Sequence, residues 1–154
     1  MAIIELGSDT LDALPEPEVD WLVEPAPAAT GGARRAALTE PLSGRWAFFL
    51  TVAWVTIFTT GVALEPPPAD QNAMPFLAAV LAGGLMLGWM VMAAGFARRR
   101  RYGAAGSLAA AGVLVAMTIA CPLSGHHAGI GAWWCFELGG SLTLVAASRA
   151  ALRA

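Results

Sequence analysis

Residues 74–122 have the sequence MPFLAAVLAGGLMLGWMVMAAGFARRRRYGAAGSLAAAGVLVAMTIACP. Two apolar runs, at about 74–97 and 103–122, flank four consecutive arginines, Arg98 to Arg101. A helix needs about 20 apolar residues to cross a hydrocarbon core of roughly 30 Å, and each run has that length. Two helices joined by so short a turn lie antiparallel. The stretch therefore predicts a transmembrane helical hairpin with a positively charged turn.

Two further apolar runs lie on either side of this hairpin, at about 46–64 and 130–148. Glu137 is the only charged residue inside any of the four runs. Of the 154 residues, 57% are hydrophobic and 13% are charged, which lies outside the usual range for a soluble globular protein. The sequence thus predicts an all-α membrane protein, a four-transmembrane-helix antiparallel bundle that contacts the lipid bilayer.

The orientation of the bundle follows from its arginines, since cytoplasmic flanks of membrane proteins collect positive charge. All the basic residues precede the first run, fill the turn of the hairpin or follow the last run; they are Arg34, Arg35, Arg45, Arg98 to Arg101, Arg149 and Arg153. The loops 65–73 and 123–129 contain none, so we expect them to face outward. Both termini are then cytoplasmic, and the use of arginine without lysine favours a bacterial inner membrane.

The N-terminal region differs sharply in composition from the apolar runs. The first 24 residues contain seven acidic residues and no basic ones, and prolines interrupt the segment. Such a segment cannot bury enough apolar surface to fold alone. We predict a largely extended or disordered cytoplasmic tether at 1–45, a transmembrane domain at 46–148 and a short cytoplasmic tail at 149–154.

A few apolar side chains stand among the acids of this tether. This mixture is typical of segments that become ordered on a partner, with apolar groups giving contact area and acids giving selectivity. The candidate partner-binding residues are Leu11, Leu14, Trp21 and Leu22. The alternative is a solubilising tail whose Trp21 rests among the lipid headgroups.

Small residues mark two candidate packing sites within the apolar runs. Gly84 and Gly88 are four residues apart, the spacing that lets helix backbones approach closely in lipid. Gly139 and Gly140 form a notch in the last run. We expect these glycines to pack helices of the same chain, and docking against another membrane subunit is the alternative.

The segment CPLSGHHAGIGAWWCFE, residues 121–137, holds every cysteine and histidine of the chain. Cys121, His126, His127 and Cys135 are predicted to lie near the outer surface, where thiolate and imidazole groups are candidate metal or redox ligands. The spacing matches no standard metal motif, so we expect no cofactor. A zinc, copper or haem site, a disulfide between the two cysteines and packing of free thiols remain the alternatives.

Glu137 is the candidate intramembrane ionisable site, because charged groups inside a span are costly and usually functional. On a helix it shares a face with Trp133, Trp134 and Gly140. One interpretation is a pathway for protons or cations. The alternative is a carboxyl group that is hydrogen-bonded to a neighbouring helix. The two tryptophans are predicted to form part of an interfacial aromatic belt.

Taken together, these features predict a non-catalytic accessory or regulatory membrane protein. We expect it to bind a protein partner in the membrane or cytoplasm through the tether and the small-residue helix faces, and to bind no nucleic acid. One alternative is a membrane sensor, similar in layout to membrane-bound anti-sigma factors, although their zinc-binding HxxxCxxC element is absent here. The other is proton- or cation-coupled transport through Glu137.

Overall fold

The computed structural model describes residues 36–67, 75–125, 127 and 130–154. The four long helices are α1 (Gly44–Leu64), α2 (Pro75–Ala97), α3 (Tyr102–Leu123) and α4 (Ala132–Arg153). The described ranges contain no β-strand, which confirms the all-α prediction for this part of the chain. The candidate partner-binding residues Leu11, Leu14, Trp21 and Leu22 lie outside the described residues.

Three of the helices are long and apolar enough to cross a membrane, namely α1, α3 and the stretch Phe76–Ala97 of α2. This confirms the corresponding three runs as membrane-capable. The fourth helix has a similar length of 22 residues, but it carries more polar side chains. It continues to Arg153, so most of the predicted cytoplasmic tail is helical.

The helix ends follow local chemistry. Ser43 caps α1 by accepting the backbone N–H of Trp46, and the prolines that follow Glu65 cannot continue the helix. A Schellman motif ends α2. In it the N–H of Arg100 bonds Gly95 O at 2.9 Å, and Arg99 has the left-handed φ of 50° that this motif needs at its C′ position.

Small residues bring α2 and α3 into very close contact. A Cβ atom added at Gly95 would overlap the backbone of Gly103, and one at Gly88 would lie 2.8 Å from the Cβ of Ala110. Gly84 faces the next turn of α3. The two helices of the predicted hairpin therefore pack backbone to backbone, with Gly84 and Gly88 in contact with the same chain.

Helix α1 packs mainly on α4, and it reaches α2 through large side chains. The ring of Trp89 in α2 lies edge-on to Trp54 and Phe58 of α1, with centroid distances of 5.7 and 4.8 Å. On α4, Gly140 is in close contact with Ile57, whereas Gly139 has open space around it. Of the two glycines in the predicted notch, Gly140 therefore packs against another helix and Gly139 does not.

A buried hydrogen-bond chain joins three helices in the middle of the bundle. The indole N–H of Trp54 in α1 donates to Ser107 Oγ of α3 at 2.8 Å, and Ser107 Oγ lies 2.8 Å from Ser148 Oγ of α4. All three side chains are buried. Such bonds hold helices together where no water is present to replace them.

Residues 39–42 are attached to the turn between α2 and α3, which was not expected of the predicted tether. The N–H of Leu42 donates to Arg99 O at 2.7 Å, and the N–H of Arg101 donates to Glu40 O at 3.0 Å. The guanidinium of Arg101 also pairs with the Glu40 carboxylate at 2.9 Å. We call this side of the bundle the arginine end.

Candidate functional site

At the opposite side, which we call the carboxylate end, a cavity of about 180 Å³ opens between α1, α3 and α4. It holds two carboxyl groups, and most of the other side chains around it are apolar. Its lining residues are Ile57, Phe58, Gly61, Val62, Glu65, Leu114, Met117, Thr118, Cys121 and Glu137. Residues of three helices thus build one mostly apolar pocket that contains two carboxyl groups.

Glu65 and His127 form the first polar contact of this site. Glu65 is the residue that caps the C-terminus of α1, and its Oε1 lies 2.8 Å from Nε2 of His127. The His127 side chain is only 1% exposed, compared with 33% for Glu65. Its ring also packs on Trp133 at a centroid distance of 4.8 Å. The histidine therefore links the end of α1 to the first turn of α4.

Glu137 lies one turn further along α4 and points toward α1. A Cβ atom added at Gly61 would lie 3.2 Å from Glu137 Oε1, so the glycine makes the room that the carboxyl group occupies. Among the residues that the structure describes, none of those lining the cavity is basic. A carboxylate in apolar surroundings needs a proton or another cation to balance its charge.

The structure describes three members of the predicted Cys/His cluster, namely Cys121, His127 and Cys135. Cys121 is half-buried and lines the cavity, and Cys135 is exposed. Both are free thiols in this structure, and the disulfide alternative stays a prediction. Within the described residues, no three His, Cys, Asp or Glu side chains are grouped so that they could hold a metal ion. His126 lies outside the described residues, so the zinc, copper or haem site stays a prediction.

A proline inside α3 explains a contact beneath the cavity. Pro122 has no N–H, so the carbonyl of Thr118, four residues earlier, lacks its usual helical donor. The indole N–H of Trp134 supplies it at 2.8 Å. Trp133 is buried against His127, and Trp134 joins α3 to α4. Their place in an interfacial aromatic belt stays a prediction.

Glu65 was missed as a site residue because it appeared only as part of an outer loop. Its signal was present, since it is the one acidic residue directly at the end of an apolar run, next to prolines that stop the helix. The sequence could not show that His127, 62 positions later, would bond to it.

The site can bind positive charge. Its two carboxyl groups supply oxygen acceptors, and Phe58 and Met117 supply polarisable apolar contact. No protein family, curated protein or solved structure matches this chain significantly.

Proposed function

We propose that this chain crosses a bacterial inner membrane four times and keeps both termini in the cytoplasm. The 22 residues of α4 span about 33 Å at 1.5 Å per residue, which is enough for a crossing. Its lower hydropathy has a reason, since Ser141 and Ser148 are buried against the bundle and Glu137 faces the cavity. Polar residues that face inward are compatible with a span.

Within this topology, we propose a non-catalytic accessory or regulatory role in which the acidic N-terminal segment binds a protein partner. The observation that carries the proposal is the attachment of residues 39–42 to the arginine end. Two backbone hydrogen bonds fix the point where the segment joins the bundle. The anchored residues therefore lie beside the turn between α2 and α3.

Copurification in mild detergent tests this role. We expect the full chain to recover a protein partner that is lost when residues 1–30 are removed. A matched variant that replaces only Leu11, Leu14, Trp21 and Leu22 by alanine keeps every acid and separates apolar contact from charge. Equal recovery of the partner with all three proteins would refute the proposal.

A second candidate is cation- or proton-coupled function at Glu137, and the cavity favours it. The carboxyl group of Glu137 shares this pocket with Glu65, which bonds to His127, and none of the described residues that line the pocket brings a basic group to Glu137. Reconstituted vesicles with a pH-sensitive dye inside would report proton movement. We expect Glu137→Gln to abolish any flux that the wild-type chain shows, and an unchanged flux would remove this candidate.

A further inference from the structure

We propose that the cavity at the carboxylate end binds a small organic cation, an ammonium group carried on an apolar body. The inference rests on the second candidate function and names its ligand class. It is carried by the combination of an interhelical cavity of about 180 Å³, an unneutralised carboxyl group inside it and a mostly apolar lining. Each of these features selects for a different part of the ligand.

The charge of the ligand follows from the two glutamates. Glu65 already has His127 as a partner at 2.8 Å, which leaves the Glu137 carboxyl group to meet the ligand. Cys121 and Thr118 are the polar side chains that α3 adds to the lining, and neither carries a positive charge. A cation is therefore favoured over a neutral or anionic molecule.

The apolar body of the ligand follows from the remaining walls. Ile57, Phe58 and Val62 line the cavity from α1, and Leu114 and Met117 line it from α3. A calcium ion takes six to eight oxygen ligands, and a magnesium ion keeps most of its water. The apolar walls would leave such an ion with too few oxygen ligands, whereas they give an organic body close contact, and the Phe58 ring can attract an ammonium group.

The volume of the cavity depends on Gly61. Any larger residue there would meet the Glu137 side chain, because a Cβ atom would already lie 3.2 Å from its Oε1. By contrast, Gly139 on the same helix as Glu137 has nothing within 4 Å of an added Cβ. A side chain is therefore sterically restricted at Gly61, which faces the carboxyl group, and not at Gly139.

Saturation binding of radiolabelled benzyltrimethylammonium to the purified full chain in lipid nanodiscs tests the proposal. Neopentylbenzene, in which carbon replaces the nitrogen, is the matched neutral competitor. We expect saturable binding that excess neopentylbenzene does not displace. Glu137→Gln, which keeps the shape of the side chain, should weaken binding by about tenfold or more, and Phe58→Leu by about threefold.

The controls are Glu40→Gln at the arginine end and Phe49→Leu on the exposed face of α1, and both should bind as the wild type does. Equal binding by Glu137→Gln, or displacement by the neutral competitor, would overturn the proposal. If the wild type binds no probe but retains a proton flux that needs Glu137, the ligand class is wrong and the second candidate function stands. If both signals are absent, both proposals fail.

Discussion

The two ends of the bundle are built from different kinds of contact. At the arginine end, main-chain atoms of different segments contact each other directly, beside side-chain contacts such as the Glu40–Arg101 ion pair. The backbones of Gly95 and Gly103 touch, and the N–H groups of Leu42 and Arg101 bond across to neighbouring segments. At the carboxylate end, side chains make the contacts, namely Glu65 with His127 and Trp134 with the Thr118 carbonyl, and a cavity lies between them.

This difference separates a fixed end from an adjustable one. Main-chain contacts at close range leave no rotamers to change, so movement there requires the helices to separate. Side-chain contacts around a cavity can rearrange by rotation while the helices stay in place. We therefore expect substitutions at the arginine end to change stability, and substitutions at the carboxylate end to change stability less and binding more.

The largest expected effect comes from adding one methyl group at the arginine end. Gly95→Ala places a Cβ atom against the backbone of Gly103, which cannot move aside alone. We expect a loss of about 3 kcal/mol in the free energy of unfolding. The control is Gly112→Ala on α3, where nothing lies within 4 Å of the added atom. Thermal unfolding monitored by circular dichroism compares the two variants. Equal midpoints would contradict the distinction between a fixed end and an adjustable end.

A smaller loss is expected at the carboxylate end when the Trp134 donor is removed. Trp134→Phe keeps the ring but leaves the buried carbonyl of Thr118 without its indole N–H partner. We expect a cost of about 1–2 kcal/mol. Pro122→Ala restores an N–H to the helix, so Trp134→Phe should cost less in that background. Equal costs in both backgrounds, measured in a double-mutant cycle, would show that the indole does not replace the missing helical donor.

Removal of the carboxyl group of Glu65 should cost about 1 kcal/mol, since the buried His127 ring loses this hydrogen bond. Glu65→Ala is the variant, and thermal unfolding in the same detergent is the measurement. A loss as large as that of Gly95→Ala would mean that the Glu65–His127 bond stabilises the fold as much as the backbone contact between Gly95 and Gly103.

The smallest effect is expected at the arginine end for Glu40, the glutamate that pairs with Arg101. Glu40 is about half exposed, and its backbone carbonyl holds the segment whether or not the side chain is charged. Glu40→Ala should therefore change stability by no more than about 0.5 kcal/mol, as exposed ion pairs usually do. A larger loss would show that the Arg101 ion pair, and not the main chain, attaches residues 39–42.

The sequence predicted the helices well because length and apolar composition determine them. The third run was placed at 103–122, and α3 extends over Tyr102–Leu123. The three most apolar runs are confirmed as membrane-capable, and the crossing of α4 stays a prediction because its polar residues lower its hydropathy. Hydrophobic patterning reports the environment of a whole helix and not the partner of one side chain.

The candidate site was predicted only in part for the same reason. Glu137 was identified because a lone charge in an apolar run is visible in the sequence. Its neighbours in the cavity were not, since Glu65 and Cys121 reach it from other helices through packing that no local pattern encodes. The docking of residues 39–42 was missed because it depends on the left-handed backbone of Arg99, which glycine usually supplies.

The proline in α3 also has a consequence for the order in which the chain is assembled. Before α4 packs against α3, the Thr118 carbonyl has no donor from its own helix, because Pro122 lacks an N–H. Only the arrival of Trp134 satisfies it. The hydrogen bonding of α3 is therefore complete only when α4 has packed against it, so the last two helices of the chain reach their final structure together.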